Sequence, residues 1–322
     1  MIITNKHDIP LALAVWVMFD EYDYVKDNNY ISATGLMKPL RQIILSDRVP
    51  KEERIADVED FIASAVGKSF HDSIEKAWVQ GHRLGLKKLG YPDSVIDRVL
   101  VNPTPEQLAA VPDAVPVYLE QREKREIDGY IIGGKYDMIA EGIVHDNKST
   151  TTFAWTSGTR DDDYKLQGSI YRWLNPDKIT EDFIRINFIF TDWQKFQAKT
   201  NPNYPQRRLI SKDIPLMSIE ETEAWIRWKI AQVDKYKNSP EKDIPECTDE
   251  ELWRSPPQYK YYADPNKTDG KSTKNFDDPI EARKYQAEKG KGVIITKPGE
   301  VKRCNYCAAF PICSQKDRYF QS

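Results

Sequence analysis

The sequence predicts an α/β protein on three observations. Helical spacing runs through most of the first hundred residues, closely spaced strands follow to about residue 150, and helix, strand and helix then alternate to about residue 240. Ser32 or Thr34 can cap a helix over "GLMKPLRQIIL". A longer helix fits "VEDFIASAVGKSFHDSIEKAWVQGHRLGLKKLG", stopped by Gly90 and Pro92. The proline-dotted "VNPTPEQLAAVPDAVP" reads as a connector. The period then falls to two: "VYLEQREKREI", "YIIGGKYDMIA" and "IVHDNKST" read as consecutive strands with breakers between them. "DYKLQGSIYRWL" returns to helical spacing, and "DFIRINFIF" is a further strand. "SIEETEAWIRWKIAQVDKY" is a long amphipathic helix opened by a capping box of Ser218 and Glu221. Beyond it the chain is polar, rich in loops and contains every cysteine. These breaks divide the chain into a helical part over 1–115, a core over 116–240 and a C-terminal region over 241–322.

Composition sets bounds. With 40% hydrophobic and 30% charged residues, 322 residues can bury a substantial core. A net charge of −3 means that a polyanion would need a local basic groove. The apolar run Ile9 to Phe19 is too short to span a membrane and lacks the positive lead-in of a signal peptide. It is expected to be a buried helix of a cytoplasmic protein. Without a secretory signal, and with three of four bunched, Cys247, Cys304, Cys307 and Cys313 read as metal ligands rather than disulfide partners.

The stretch "GGKYDMIAEGIVHDNKST" repays geometric reading. If Glu141-Gly142 is a two-residue hairpin loop, opposed residues have numbers that sum to 283. Ala140 then faces Ile143, Ile139 faces Val144 and Asp137 faces Asp146. Like charges at opposed positions repel unless something neutralises them. Lys148, two residues beyond Asp146, points to the same face. A solvated hairpin screened by Lys148 and a divalent-cation site both fit these facts.

Asp137, eight intervening residues and then Asp146-Asn147-Lys148 resemble the D…(D/E)-x-K signature of the PD-(D/E)XK nuclease superfamily. Three further elements resemble its RecB-like branch: "GKSFH" at 67–71 with Glu75 a turn later, "QGSIY" at 167–171, and "ISATGL" at 31–36. Order and spacing agree, and the resemblance covers about residues 30 to 190 plus the cysteines. It implies a restriction-endonuclease-like core, a central mixed β-sheet flanked by helices.

The resemblance also implies that His71, Asp137, Asp146 and the Asn147 carbonyl share an ion, and that Asp137, Asp146 and Lys148 are catalytic. Oxygen-rich ligands suit Mg²⁺ or Mn²⁺, and an imidazole tilts the choice towards Mn²⁺. Gln167 and Tyr171 share a helix face and would support the site and contact DNA, or simply pack. Glu126 is a further acid of the site or a surface residue. His145 points to the other face by strand alternation, and His7 and His82 have no supporting pattern.

"RCNYCAAFPICSQ" holds C-x2-C-x5-C, with Cys247 as a fourth ligand across 56 intervening residues. The spacing resembles the iron–sulfur motif of RecB-like nucleases, including the CRISPR-associated exonuclease family and the AddB subunit, which implies a structural [4Fe–4S] cluster. In those families the fourth cysteine precedes the nuclease core, whereas Cys247 follows it, so structural Zn²⁺ stays open. Lysines interleave with Tyr259, Tyr261, Tyr262 and Phe276, and a similar mixture fills "KFQAKTNPNYPQRR" at 195–208. Both stretches suit single-stranded nucleic acid, or loops pinned by their aromatics. The expected function is a metal-dependent exonuclease acting on DNA ends or single strands in recombination, repair or degradation, with a phage as an expected setting. No Walker motif for self-contained ATP-driven unwinding is present. Self-association or a recombination partner protein fits that function. A processing nuclease that cuts only within a larger complex, and a silent nucleic-acid-binding module, are the alternatives.

Overall fold

The computed structural model describes residues 2–20, 23–25, 27 and 29–320. They form two compact units, one of residues 1–38 and 55–232, the other of 39–54 and 233–322. This differs from the three successive stretches expected, because residues 39–54 leave the helical N-terminal part and join the C-terminal unit.

The chain opens with β1 (Ile2–Thr4), α1 (Leu11–Met18), β2 (Tyr30–Ser32) and α2 (Ala33–Leu36). The Ser32 hydroxyl caps α2, accepting from Gly35 N at 3.0 Å. The helix expected over 35–45 is cut by Pro39. Proline disfavours helical backbone at the residue before it, so α2 stops short and α3 (Leu40–Arg48) begins afresh in the second unit. The α1 helix is not the buried helix expected. Only Ala14 and Val17 are buried, against Val58, while Leu11, Leu13 and Val15 stay exposed. A helix apolar on every side has one face to pack here.

Next come β3 (Ile55–Asp57), parallel to β1, and the long α4 (Ile62–Lys88), which ends where expected, at a left-handed Gly90. The supposed connector is structured. It follows α5 (Asp93–Ile96), overlaps β4 (Val99–Val101) and holds α6 (Pro105–Ala110), which starts at a capping box of Thr104 and Gln107. Two of the expected strands are each cut in two, giving β5 (Val115–Leu119) and β6 (Arg122–Ile127), then β7 (Tyr130–Lys135) and β8 (Met138–Ala140). After β9 (Ile143–Thr150) come α7 (Phe153–Ser157), α8 (Asp161–Leu174), β10 (Phe183–Phe190), α9 (Lys195–Thr200), β11 (Leu209–Pro215) and α10 (Ile219–Tyr236). Ser218 and Glu221 do form the reciprocal cap of α10.

In the first unit a six-stranded sheet has the order β11-β10-β9-β8-β5-β4. The pairs β9/β10 and β4/β5 are parallel and the rest antiparallel, so the sheet is mixed. Parallel β9 and β10 need a crossover, which α7 and α8 supply. In β10, strict alternation buries Ile184, Ile186, Phe188 and Phe190. Helices flank both faces. On β9, Asp146 meets Gln167 of α8, whereas neighbouring Ser149 lies beside Gly67 of α4. The fold is therefore α/β with a central mixed sheet flanked by helices. A three-stranded sheet, β2-β7-β6, lies in the same unit.

The second unit is more ordered than a loop-rich tail. It contains β12 (Gln258–Tyr262), β13 (Lys274–Phe276), α11 (Pro279–Lys289) and β14 (Val293–Lys297), with sheet order β13-β12-β14. Tyr261, Phe276 and Ala282 form its core, so these aromatics pack inward and are not displayed to a ligand. No helix among the described residues is long and apolar enough to cross a membrane.

Candidate metal centre

Two tight turns build the site. Asp128-Gly129 and Glu141-Gly142 both have positive φ at both positions, the geometry of a type I′ hairpin. The second turn produces the expected register, Ala140 opposite Ile143 and Ile139 opposite Val144. The ladder ends at Met138 and His145, however, so Asp137 is not paired across from Asp146. Asp137 sits in a bend, where its Oδ2 accepts the Asn147 amide at 2.7 Å.

The first turn explains the bend. It pairs β6 with β7 as far as Arg122 and Lys135, and the same register resumes at Leu119 and Met138 in the other sheet. One long hairpin therefore passes from one sheet into the other. At the crossing Glu120 faces Asp137, its amide donating to the Asp137 carbonyl at 3.1 Å, and Tyr136 N donates to Gln121 O at 3.2 Å. Glu120 takes a left-handed φ of 52°, uncommon for a residue with a side chain, which turns the strand. Fully buried Tyr136 anchors the crossing by donating its hydroxyl to Gln121 Oε1 at 2.8 Å.

His71 projects from α4 onto this crossing. Its Nδ1 lies 3.3 Å from Asp137 Oδ2 and 3.8 Å from Glu120 Oε1. Among the described residues, His71, Glu120 and Asp137 are the one group of three ligating side chains whose donor atoms all lie within 4.8 Å of one another. The structure thus brings His71 and Asp137 together as expected but puts Glu120 in the third place. Glu126, the acid singled out from sequence, is exposed on β6 opposite Ile131 and does not join the group. Asp146 also stands outside it. Its carboxylate is 2% exposed, with Lys148 Nζ 2.6 Å from Oδ2 and the Gln167 amide donating to Oδ1 at 3.0 Å. Asn147 donates its backbone amide to Asp137, and its side-chain oxygen accepts from Asn187.

Gln167 and Tyr171 brace Asp146. Gln167 Nε2 also donates to the Tyr171 hydroxyl at 3.1 Å, which donates to the Lys135 carbonyl at 3.0 Å. Both side chains are buried, so neither presents the DNA contact expected of it. The close approach needs Gly134, where a Cβ would come within 2.7 Å of the Tyr171 ring. Lys135, a cation that sequence reasoning missed, holds Glu120 Oε2 at 2.7 Å.

Hydrogen bonds from His71 to Asp137 and then Glu120 outweigh desolvation and raise the ring to about 10. Burial pushes the Asp146 carboxyl up against the pull of Lys148, and the nearby Asp137 charge adds to the rise. Burial alone would lower Lys148, but the Asp146 carboxylate beside it holds the ammonium above its usual value. In metal-free protein His71 is therefore cationic at neutral pH, and an incoming cation must displace its proton. Because the folded value exceeds the unfolded one, the stability His71 contributes is full below about 6.5 and is lost as pH rises towards 10. Thermal melts in EDTA are expected to show that decline, and His71→Asn to flatten it. An equal decline in the variant would refute the pairing.

In the second unit all four cysteines line one cavity together with Arg41, Gln42 and Gln315. The buried Gln315 amide clamps the Cys247 backbone from both sides, accepting from its N–H and donating to its carbonyl, each at 2.9 Å. Buried Arg41 of α3 donates Nε to Cys313 Sγ at 3.2 Å and is held by Glu241. The N-terminal part of the chain thus contributes Pro39, Arg41 and Gln42 to this cavity. Burial first, then the neighbouring Glu251, Cys313 and Cys307, push the Cys247 thiol up to about 12. Burial with Cys307 and Cys313 likewise raises Cys304. Thiols that raise one another are close neighbours, and a metal would reverse that protonation.

No protein-family model matches this chain, and no curated protein does. Among solved structures, the crystal structure of SSO0001 aligns with a TM-score of 0.41 and 18% identity, covering 68% of this chain and 81% of that one. A phage-related exonuclease from Haemophilus somnus 129PT aligns with a TM-score of 0.29 and 16% identity, covering 65% of this chain and 93% of that one. Overlap at this level transfers no residue role to this chain.

Proposed function

We propose that this chain is a metal-dependent deoxyribonuclease of the PD-(D/E)XK type, an exonuclease acting on DNA ends or single strands. One observation carries the reading: a single kinked hairpin places Glu120 and Asp137 against His71, with buried Asp146 and half-buried Lys148 paired on the adjoining strand. Two carboxylates and an imidazole fit Mg²⁺ or Mn²⁺, whose charge would polarise a phosphodiester and acidify water. Lys148, held charged by Asp146, orients the attacking water and offsets charge developing on phosphate. Gln167 fixes the Asp146 carboxylate so that Lys148 keeps one position, and Lys135 balances Glu120. The mixed sheet is read as the restriction-endonuclease-like core.

The four thiols are read as ligands of a structural [4Fe–4S] cluster. All four line one cavity, and the C-x2-C-x5-C spacing of Cys304, Cys307 and Cys313 supports the cluster over a single zinc ion. The setting is a cytoplasmic one, in a bacterium or phage-infected cell, with DNA as partner.

Incubation of purified protein with end-labelled linear and closed circular DNA, in Mg²⁺ and in Mn²⁺, tests the proposal. Metal-dependent loss of linear DNA with circular DNA intact is the expected result. Cleavage of neither, by protein with its metal sites filled, overturns it.

A further inference from the structure

The connection between β10 and β11, residues 191–208, mixes cations with aromatic rings. Its polar and aromatic residues close it into an ordered lobe. Trp193 Nε1 donates to Pro205 O at 2.8 Å, and the Tyr204 hydroxyl accepts the Gln194 amide at 2.9 Å. At its base, Asp192 accepts from both the amide and the hydroxyl of Thr152, just beyond the end of β9. With Trp193 and Tyr204 turned inward, Phe196 of α9 is left 73% exposed.

Four cations share this lobe: Lys195, Lys199, Arg207 and Arg208. All are exposed, and among the described residues none has an acidic partner, whereas Arg83, Arg185 and Arg227 each hold one. In a chain of net charge −3, unneutralised cations in the same short segment as an exposed ring call for an anion with an apolar face.

A groove lies between the lobe and α4, the helix that carries His71. It is lined by Arg207, Leu209, Ser211, Ile189, Asn187 and Ile74. Asn187 bonds the side chain of Asn147, neighbour of Asp146, and Ile74 lies about one turn beyond His71 on α4. Ile74, Ile189 and Leu209, the last 63% exposed, give it an apolar lining, and Arg207 supplies its cation.

We infer that this groove and lobe grip single-stranded DNA leading to the metal centre, with Phe196 stacking on a base and Lys195, Lys199, Arg207 and Arg208 holding phosphates. A duplex buries every base face except those at its two ends, so Phe196 finds far more to stack on in unpaired strands. The inference takes the position of the reacting phosphate from the nuclease reading, but the grip itself requires no cleavage.

Fluorescence anisotropy of the full chain in EDTA, with dye-labelled single-stranded and blunt duplex DNA of about 20 nucleotides, separates the two. Phe196→Ala is expected to weaken single-strand binding about tenfold with little change for duplex, and Phe196→Trp to restore it. Arg207→Ala with Arg208→Ala is expected to weaken single-strand binding and flatten its salt dependence. Single-strand affinities of both variants within about twofold of the unaltered protein overturn the inference, as does an equal loss for duplex or the absence of single-strand binding by the unaltered protein. Cleavage that survives alongside those results leaves the nuclease reading standing. Selective binding through Phe196 without cleavage leaves the grip standing and removes the nuclease.

Discussion

Asp146→Asn and Lys148→Ala are each expected to reduce DNA cleavage by at least about a hundredfold, the usual contribution of a positioned proton-transfer group. The two should differ in stability. Asparagine keeps an oxygen for the Gln167 amide while removing the buried charge, and the Lys148 ammonium it leaves behind is 30% exposed and can reach water. Its melting temperature should stay near that of the unaltered protein. Lys148→Ala instead strands the Asp146 carboxylate, 2% exposed, without its counter-ion. Removing one partner of a buried ion pair costs about 3–5 kcal/mol, less here because Lys148 is partly exposed and Asp146 can take up a proton. Calorimetry beside a gel-based nuclease assay checks both expectations. Near-full activity in either variant, in preparations free of contaminating nuclease, sinks the catalytic assignment.

Loss of the cysteine centre is the second large effect. Cys307→Ser or Cys247→Ser, purified without oxygen, should lack the visible absorbance, iron and sulfide expected of the unaltered protein. Free energies of structural thiolate–metal sites are on the order of 10 kcal/mol, so the second unit should become protease-sensitive. The core next to the cavity is small, consisting of Ile44, Leu45, Ile244 and Ala309, and cannot replace that contribution. Arg41→Ala should release the centre faster on exposure to air, because Cys313 loses its charged donor. Stoichiometric zinc without iron in the unaltered protein would overturn the cluster and leave the site itself intact.

Local chemistry made much of this molecule legible. The Glu141-Gly142 turn, the capping box of Ser218 and Glu221, the α8 face carrying Gln167 and Tyr171, and the alternation of β10 each depend on residues a few positions apart. The pairing of Ile139 with Val144 followed from the turn alone. Glu120 was within reach too. Applied to Asp128-Gly129, the turn rule pairs residues whose numbers sum to 257 and sets Glu120 opposite Asp137.

What no local pattern could supply was the passage of one hairpin between two sheets. A strand reads the same whether it stays in its sheet or leaves it, so "YIIGGKYDMIA" gave no sign of its break at Tyr136-Asp137. The kink goes with the left-handed Glu120 and the packing of Tyr136, and the site with α4 delivering His71 from far along the chain. The same holds for Arg41, more than 200 residues from the Cys247 site it serves and separated from it by the whole mixed sheet in sequence. Turns, caps and periods are set by neighbours in the chain. Only the folded chain decided which carboxylates gather beside His71, because that is settled by side chains brought together across long separations.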